Sequence, residues 1–519
     1  MPRQPRRDAV PVRVAADAGP WPLHGSAAAR ALEARALAQN APHELMERAG
    51  LAVARLARAL APSARLVEVW CGPGNNGGDG YVAARLLHLS GTATQVRECG
   101  MPGRLPADAT QARWRAQEAG VPLLPVSQEA EELGQSTQAP DLVIDALLGL
   151  GASRAPEGAL AAAIARLQTR GAPVLAVDLP SGLNPDTGQP LGNAVVHADH
   201  TLALLSLKPG HFTAQGRDLA GVVWFDTLGH ESGPPPGDAA GPTAWLTGPA
   251  RRTALPHAAH KGRRGDAWVV GGADGMVGAA ALAARAALAA GAGRVYLSAL
   301  ARSTQVGLDP GQPELMQRPF ATAAALLLDR ATAIVGCGGG EAVRECLPQL
   351  LSRSPRVVLD ADALNHIAVA PELQRLLQGR AGRGQASVLT PHPLEAARLL
   401  GIDSAAVQAD RLAAAHALAA ATASVVVLKG SGTVVAAPGV LPCLNPSGNA
   451  ALATAGTGDV LAGWLGGLWA QQPGRAAFEV ACAAVWQHGY AADVARPAAD
   501  GRGAPLLASD LIAALSASA

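Results

Sequence analysis

The run Asn449-Ala450-Ala451-Leu452-Ala453-Thr454-Ala455-Gly456-Thr457-Gly458-Asp459 leads straight into an apolar stretch with helical spacing. A Gly-Thr-Gly-Asp start of this kind aims free backbone N–H groups and the positive end of a helix dipole at an anion, with a carboxylate at the same place. That carboxylate can take a proton from a substrate hydroxyl as a phosphoryl group arrives, so phosphoryl-transfer chemistry is predicted with Asp459 as base. A plain helix cap would account for the Asp but not for the flanking glycines. Upstream, Lys429-Gly430-Ser431-Gly432-Thr433 supplies a cation and amide donors suited to a nucleotide, and Thr390-Pro391-His392-Pro393 fixes one histidine between two prolines. Asp360 and Asp362 could face a phosphate-bound cation or cap the next helix. Gly-rich turns at 271–275 and 336–340 allow backbone to pass close to a ligand.

A second constellation lies in the other half of the chain. Cys71-Gly72-Pro73-Gly74-Asn75-Asn76-Gly77-Gly78-Asp79-Gly80 follows a β-branched run and precedes a helix predicted over 81–89. Its glycines would allow left-handed backbone and close approach, and the helix start would offer N–H groups to a phosphate. The run lacks the Lys-Ser/Thr of a P-loop and the spacing of Gly-x-Gly-x-x-Gly, so it predicts an anion cradle of another kind. Asp145 and Asp178 each end a strand-like run. Either could cap a helix, but two beside the cradle point to acid/base work or cation binding.

These residues need a scaffold, and the rest of the chain reads as two of them. Short Val/Leu/Ile runs ending in Gly, Asp or Pro alternate with Ala/Leu-rich helical stretches, the pattern of βαβ units with a buried parallel sheet. Strands are predicted at 66–70, 142–145, 174–178 and 201–205, then at 268–270, 294–297, 333–335, 357–360, 387–390 and 425–428. The Gly/Pro-dense stretch 229–242 has no periodicity and reads as a linker, and residues 1–24 as a disordered basic tail without the features of a secretory signal. With 519 residues, 49% hydrophobic and 3% aromatic, two α/β domains fit. A net charge of +1 excludes a counterion-release mode of nucleic-acid binding, and charges interrupt every candidate membrane span. Six scattered cysteines without a Cys-x-x-Cys pair argue against a disulfide framework and a zinc site, and predict a reducing cytoplasm.

Residues 25–228, including Leu45-Met46-Glu47-Arg48-Ala49-Gly50, the cradle, Asp145 and Asp178, resemble the epimerase domain of bacterial bifunctional NAD(P)H-hydrate repair enzymes. The resemblance implies a Rossmann-like three-layer domain in which Asn75, Asn76, Gly77, Gly78 and Asp79 hold the damaged dinucleotide. Gly149, Leu150, Gly151, Ala152, Ser153, Arg154 and Ala155, with Asp178, would complete its binding site. It implies a potassium ion among Asn76, Asp145 and Ser181, and Asp145 as the acid/base group that inverts the hydroxyl-bearing carbon. Leu150 departs from the family's usual Thr. Lys208 also fits the family pattern, although a lone lysine is as easily exposed.

Residues 243–515 resemble the ribokinase-like ADP-dependent NAD(P)H-hydrate dehydratase, through Leu-Asp-Ala-Asp-Ala-Leu-Asn at 359–365, Thr-Pro-His-Pro, Lys-Gly-x-Gly-Thr and Gly-Thr-Gly-Asp. The resemblance implies a ribokinase-like three-layer fold. Lys429, Gly430, Ser431, Gly432, Thr433 and Gly458 would hold the adenine nucleotide with Mg2+, and Ala280, Gly340, His392 and Asp459 would face the hydrate. Leu394 stands where the family has Gly, and Cys337 where it has Pro. The expected activity is metabolite repair: the R and S hydrates (NADHX and NADPHX) are epimerised, and the S form is dehydrated at the expense of ADP, releasing AMP and phosphate. A homo-oligomer is expected, with no nucleic-acid or membrane partner. Two alternatives stand beside this reading: a small-alcohol or vitamin kinase, and a chain whose N-terminal half only binds.

Overall fold

Runs that are apolar on both faces, such as Leu142–Ala146 and Val425–Leu428, suit strands covered by helices on each side of a parallel sheet, and every residue of both is buried. The computed structural model describes residues 10–100, 105–126, 139–230, 237–250, 257–258, 260–302, 309, 311–497 and 504–518. It divides into one unit of Met1–Ala15 and Trp21–Trp245 and another of Ala16–Pro20 and Leu246–Ala519.

In the first unit the elements are β1 (Val12–Arg13), β2 (Trp21–Leu23), α1 (Ser26–Gln39), α2 (Glu44–Leu60), β3 (Val67–Cys71), α3 (Asn75–Leu89), β4 (Thr94–Glu98) and α4 (Ala107–Glu118). They continue with β5 (Leu123–Pro125), β6 (Leu142–Ala146), α5 (Gly158–Gln168), β7 (Val174–Val177), β8 (His200–Leu204), α6 (Gly216–Leu219) and β9 (Val222–Asp226). The sheet runs β1-β9-β8-β7-β6-β3-β4-β5, parallel from β9 to β5, with β1 antiparallel at its edge. Strand order reverses between β3 and β6, the crevice where open α/β sheets bind ligands. The tail expected over residues 1–24 is corrected here. Val12–Arg13 pairs with Trp224 and Phe225, and Leu23 bridges Leu207, because the backbone there finds sheet partners that no local pattern announces. Residues 1–9 of that tail, and 231–236 of the expected linker, lie outside the described residues.

β10 (Ala244–Leu246) carries the chain across the division. The second unit then has β11 (Asp266–Gly271), α7 (Val277–Ala289), β12 (Arg294–Ala299), β13 (Met316–Gln317), α8 (Phe320–Leu327), β14 (Thr332–Val335), α9 (Val343–Arg353), β15 (Arg356–Leu359), α10 (Ala361–Val369) and α11 (Pro371–Gly382). There follow β16 (Ala386–Leu389), α12 (Pro393–Leu400), α13 (Ser404–Ala409), α14 (Arg411–Thr422), β17 (Val425–Leu428), β18 (Val434–Ala437), β19 (Val440–Leu444), α15 (Thr457–Gln471), α16 (Ala477–Ala495) and α17 (Ala508–Ser518). Its strands run β13-β12-β11-β14-β15-β16-β17-β18-β19, parallel up to β17 and antiparallel beyond. Here the order reverses between β11 and β14, which places the two Gly-rich turns side by side.

Helix α15, which begins with the Gly-Thr-Gly-Asp run, is held against α7 by the absence of side chains. A Cβ on Gly463 would come within 2.1 Å of the Ala283 carbonyl, and one on Gly467 within 2.4 Å of the Ala287 carbonyl. Gly463→Ala is therefore expected to push the helices apart and destabilise the second unit by about 1–3 kcal/mol, measurable as a lower urea midpoint. Trp464 Nε1 donates to Gln487 Oε1 of α16 at 2.8 Å and anchors the other side of the same helix.

Candidate functional site

In the first unit the Asn-Asn-Gly-Gly-Asp run proves to be helix, not a loop ahead of one: α3 starts at Asn75. None of Gly74, Gly77, Gly78 or Gly80 has a positive φ. The glycines serve close packing instead, since a Cβ would lie 2.1 Å from the Gly72 carbonyl at Gly77, 2.5 Å from Met46 Cε at Gly78 and 2.7 Å from Ala146 Cβ at Gly80. The cradle is thus the N-terminus of α3 itself, drawn down onto the sheet so that its free N–H groups stand at the switch point.

That N-terminus opens on a cavity of about 770 Å³, large enough for a good part of a dinucleotide. Asn75, Asn76 and Asp79 line it from α3, and Gly149, Leu150, Gly151, Ala152, Ser153, Arg154 and Ala155 from the loop after β6. Asp178 lines it from the end of β7 together with Lys208, and Arg30 and Glu33 from α1. Gly77 and Gly78 are not in the wall; they lie beneath it. Arg30 also donates to the Leu150 carbonyl at 3.2 Å, tying α1 to the loop.

Lys208 is buried, only 1% exposed, and its ammonium is ion-paired with Asp178 while donating to the carbonyls of Leu204 and Ser206. Asp178 has a φ of +65°, a conformation rare for a side-chain-bearing residue, and is held there by the Leu204 N–H on Oδ1 and by His211 against its carbonyl. Burial, then the Lys208 charge, pushes His211 down to about 4, so it is neutral at pH 7.

Asp145 is fully buried and absent from the cavity wall. Its carboxylate accepts from Ser181 N at 2.8 Å, Ser181 Oγ at 2.6 Å and Leu147 N at 3.1 Å. Burial pushes its pKa up to about 6 against those hydrogen bonds. Of the three residues expected to hold potassium, Asp145 and Ser181 therefore meet. Asn76 lies beside Gly149, its Nδ2 buried without a hydrogen-bond partner and its Oδ1 3.1 Å from where a Gly149 Cβ would sit.

In the second unit the strand ends deliver five segments in a row: the glycine turns after β11 and β14, Asp360 after β15, Thr390 to His392 after β16 and Lys429 after β17. Lys429 Nζ donates to Asp360 Oδ1 at 2.7 Å, and Thr390 Oγ1 to the same oxygen at 2.9 Å. A Cβ on Gly458 would lie 3.4 Å from that ammonium, so Lys429 sits at the start of α15. Asp360 thus pairs with a lysine and makes no side-chain cap, and Asp362 accepts from Gly340 N at 2.8 Å. Cys337, Asp360 and Asp459 bring their ligand atoms within 4.8 Å of one another. Burial, then the neighbouring Asp360, pushes the Asp459 carboxyl up to about 6. Gly456, at φ +89°, supplies the left-handed turn that starts α15.

Two of the residues expected to face the hydrate also have packing or capping roles. The Ala280 methyl is fully buried in the core below Gly272, whose Cβ would touch it at 3.0 Å. His392 caps α12, with Nδ1 accepting from Leu394 N and Glu395 N and its backbone N–H donating to Glu395 Oε2 at 2.8 Å. Gly430 and Gly432 have φ of +135° and +62°, and the Arg411 guanidinium, 1% exposed, donates to the carbonyls of Leu428 and Lys429 beneath that turn. Sequence reading missed Arg411, and also His488, whose Nε2 lies 3.0 Å from the Thr457 carbonyl; burial lowers His488 to about 4, so it is neutral and its N–H donates there. Neither carries a local motif; each became visible only when α14 and α16 folded under the site.

The fold and the two sites define a two-unit α/β enzyme, with a cavity large enough for a good part of a dinucleotide in one unit and a row of charged strand-end residues at the start of α15 in the other. Residues 42–210 match the family model described as YjeF-related protein N-terminus, and residues 267–515 that described as NAD(P)H-hydrate dehydratase. The chain is 38% identical over 497 residues to the bifunctional NAD(P)H-hydrate repair enzyme of Escherichia coli (strain K12), covering 91% of this chain and 88% of the relative. It is 38% identical over 496 residues to the Leishmania braziliensis enzyme of the same description, covering 88% and 86%. A solved Bacillus subtilis structure, ADP/ATP-dependent NAD(P)H-hydrate dehydratase co-crystallized with ATP/Mg2+, is 30% identical, covers 51% of this chain and 92% of its own, and has a TM-score of 0.44. The chain belongs to the family of bifunctional NAD(P)H-hydrate repair enzymes.

Proposed function

We propose that the chain restores NADH and NADPH that have taken up water at the nicotinamide ring, with residues 25–228 as the epimerase and 243–515 as the dehydratase. The carrying observation is the position of Asp459 at the start of α15, beside the Lys429–Asp360 pair and with its pKa held near 6. Water adds to an enamine with its hydroxyl on the carbon bonded to nitrogen. Asp459 takes the proton of that hydroxyl as its oxygen attacks the terminal phosphoryl group of ADP, and Lys429 with the amides of 430–433 holds the phosphates. The ring nitrogen then expels phosphate, loss of a ring proton restores the double bond, and AMP and phosphate leave.

The oxygen-rich set of Asp145, Ser181 and the Leu148 carbonyl, 3.3 Å from Ser181 Oγ, fits a hard monovalent cation. Asp145, Ser181 and Asn76 would hold potassium there. Asp360 and Asp459 are oxygen donors that fit Mg2+ arriving with the nucleotide; when bound it supplies charge to the transferring phosphoryl group. Neutral His488 fixes the Thr457 carbonyl and with it the first turn of α15. No helix among the described residues is long and apolar enough to cross a membrane, and the proposed setting is the cytoplasm, with the chain as a homo-oligomer.

An epimeric mixture of NADH hydrate with ADP is expected to recover its full NADH absorbance when the chain is added. Recovery of about half would leave the second unit working alone, and none with either ADP or ATP would favour a small-alcohol kinase.

A further inference from the structure

Of the five carboxyl-bearing residues that line the first-unit cavity, three act on one another electrostatically: Glu33 on α1, Asp79 in the second turn of α3 and Asp178 at the end of β7. Asp178 is committed to Lys208. Glu33 and Asp79 have no ion-pair partner among the described residues, although Arg30 and Lys208 lie near enough to act on Glu33 electrostatically. Burial, then the negative charge of Asp178, raises the Glu33 pKa, with Lys208 and Arg30 opposing. Burial, then Asp178 and Glu33, raises Asp79 well above the usual carboxylate range. Like charges crowded into one wall oppose one another's ionisation, which raises the proton affinity of Glu33 and Asp79. Asp145, in contrast, is sealed behind the wall with its carboxylate engaged by Ser181 and Leu147.

On the reading of this cavity as the epimerase site, we propose that Glu33 is a catalytic acid/base group that touches the hydrate from α1, and that proton transfer belongs to the Glu33–Asp79 cluster and not to Asp145. Glu33 lies upstream of the family-model match, which begins at residue 42. The Glu33 carboxyl gives its proton to the ring hydroxyl, the C–O bond breaks with its electron pair leaving on water, and the ring-nitrogen lone pair forms C=N+. Water adds to the opposite face, the C=N pair returns to nitrogen, and the released proton goes to a carboxylate of the cluster. One proton is given and one recovered, and the epimer is the only product. No oxidant or reductant is needed.

The test uses the full chain with Glu33→Gln and Glu33→Asp, following interconversion of R- and S-hydrate by NMR without ADP, and dehydration of S-hydrate with ADP as a control on the same chain. For Glu33→Gln the epimerisation rate is expected to fall about 100-fold with KM changed only a few-fold and the pH profile altered. Glu33→Asp, which keeps a carboxyl group, should recover part of that loss, and dehydration should be unaffected in both. Unchanged epimerisation and pH profile in Glu33→Gln, or equal losses in both variants, would overturn the proposal while leaving the cavity an epimerase site. Failure of the unsubstituted chain to interconvert the hydrates would overturn the reading of the cavity and the proposal together.

Discussion

Asp459→Asn is expected to slow ADP-dependent dehydration of S-hydrate by about 10²–10⁴-fold, the usual contribution of a positioned general base. The substitution keeps the size of the side chain and the start of α15, but removes the group proposed to accept the hydroxyl proton. The pH dependence gives the assignment a second handle. Burial and the nearby Asp360 hold the Asp459 carboxyl near 6, and a base works only when ionised. So kcat/KM for dehydration should rise with pH through about 6, level off above it, and lose that limb in Asp459→Asn. Epimerisation, carried by the other unit, should be untouched. A variant retaining most of the dehydration rate would remove Asp459 from the chemistry.

Lys208→Met should strongly destabilise the first unit. Its ammonium, 1% exposed, is the counter-charge of Asp178, and methionine would fill the space while leaving a carboxylate buried without a cation. Breaking one partner of a buried pair costs about 3–5 kcal/mol. For a unit of this size that corresponds to a fall of roughly 6–20 °C in its melting transition by calorimetry. The strained backbone at Asp178, φ +65°, makes the loss larger by weakening one of its restraints. Removing the stranded charge as well, in Lys208→Met with Asp178→Asn, should recover part of the stability. An unchanged midpoint would show that the pair contributes nothing to the fold.

Much of the scaffold was legible because buried parallel strands are written in local composition. All ten strands predicted from Val/Leu/Ile runs are present, with ends within a residue or two. β4 was missed because Thr94, Gln95 and Glu98 are polar yet buried. Beneath them Glu68, fully buried, accepts from Gln95 Nε2 at 2.9 Å, Arg97 Nε at 2.8 Å and Trp70 Nε1 at 3.0 Å, a network that only the paired strands assemble. β1 and β2 were missed for a related reason: two or three residues have no periodicity, and their partners lie some 200 residues away in the chain.

What the sequence by itself determined is chemistry of residue type and local spacing: a Gly-rich start suited to an anion before an apolar helix at 456–459, a nucleotide-suited lysine turn at 429–433, carboxylates at strand ends, and two α/β scaffolds to carry them. The tertiary structure decided which of those groups can reach a ligand. It placed the glycines at 77, 78 and 80 inside a helix, where Gly72, Met46 and Ala146 lie too close for a Cβ, and buried Lys208 against Asp178. It sealed Asp145 behind Ser181 while bringing Glu33 from α1 into the cavity wall. Exposure, pairing and the resulting shift in proton affinity depend on neighbours distant in the chain, and no local pattern of residues encodes them.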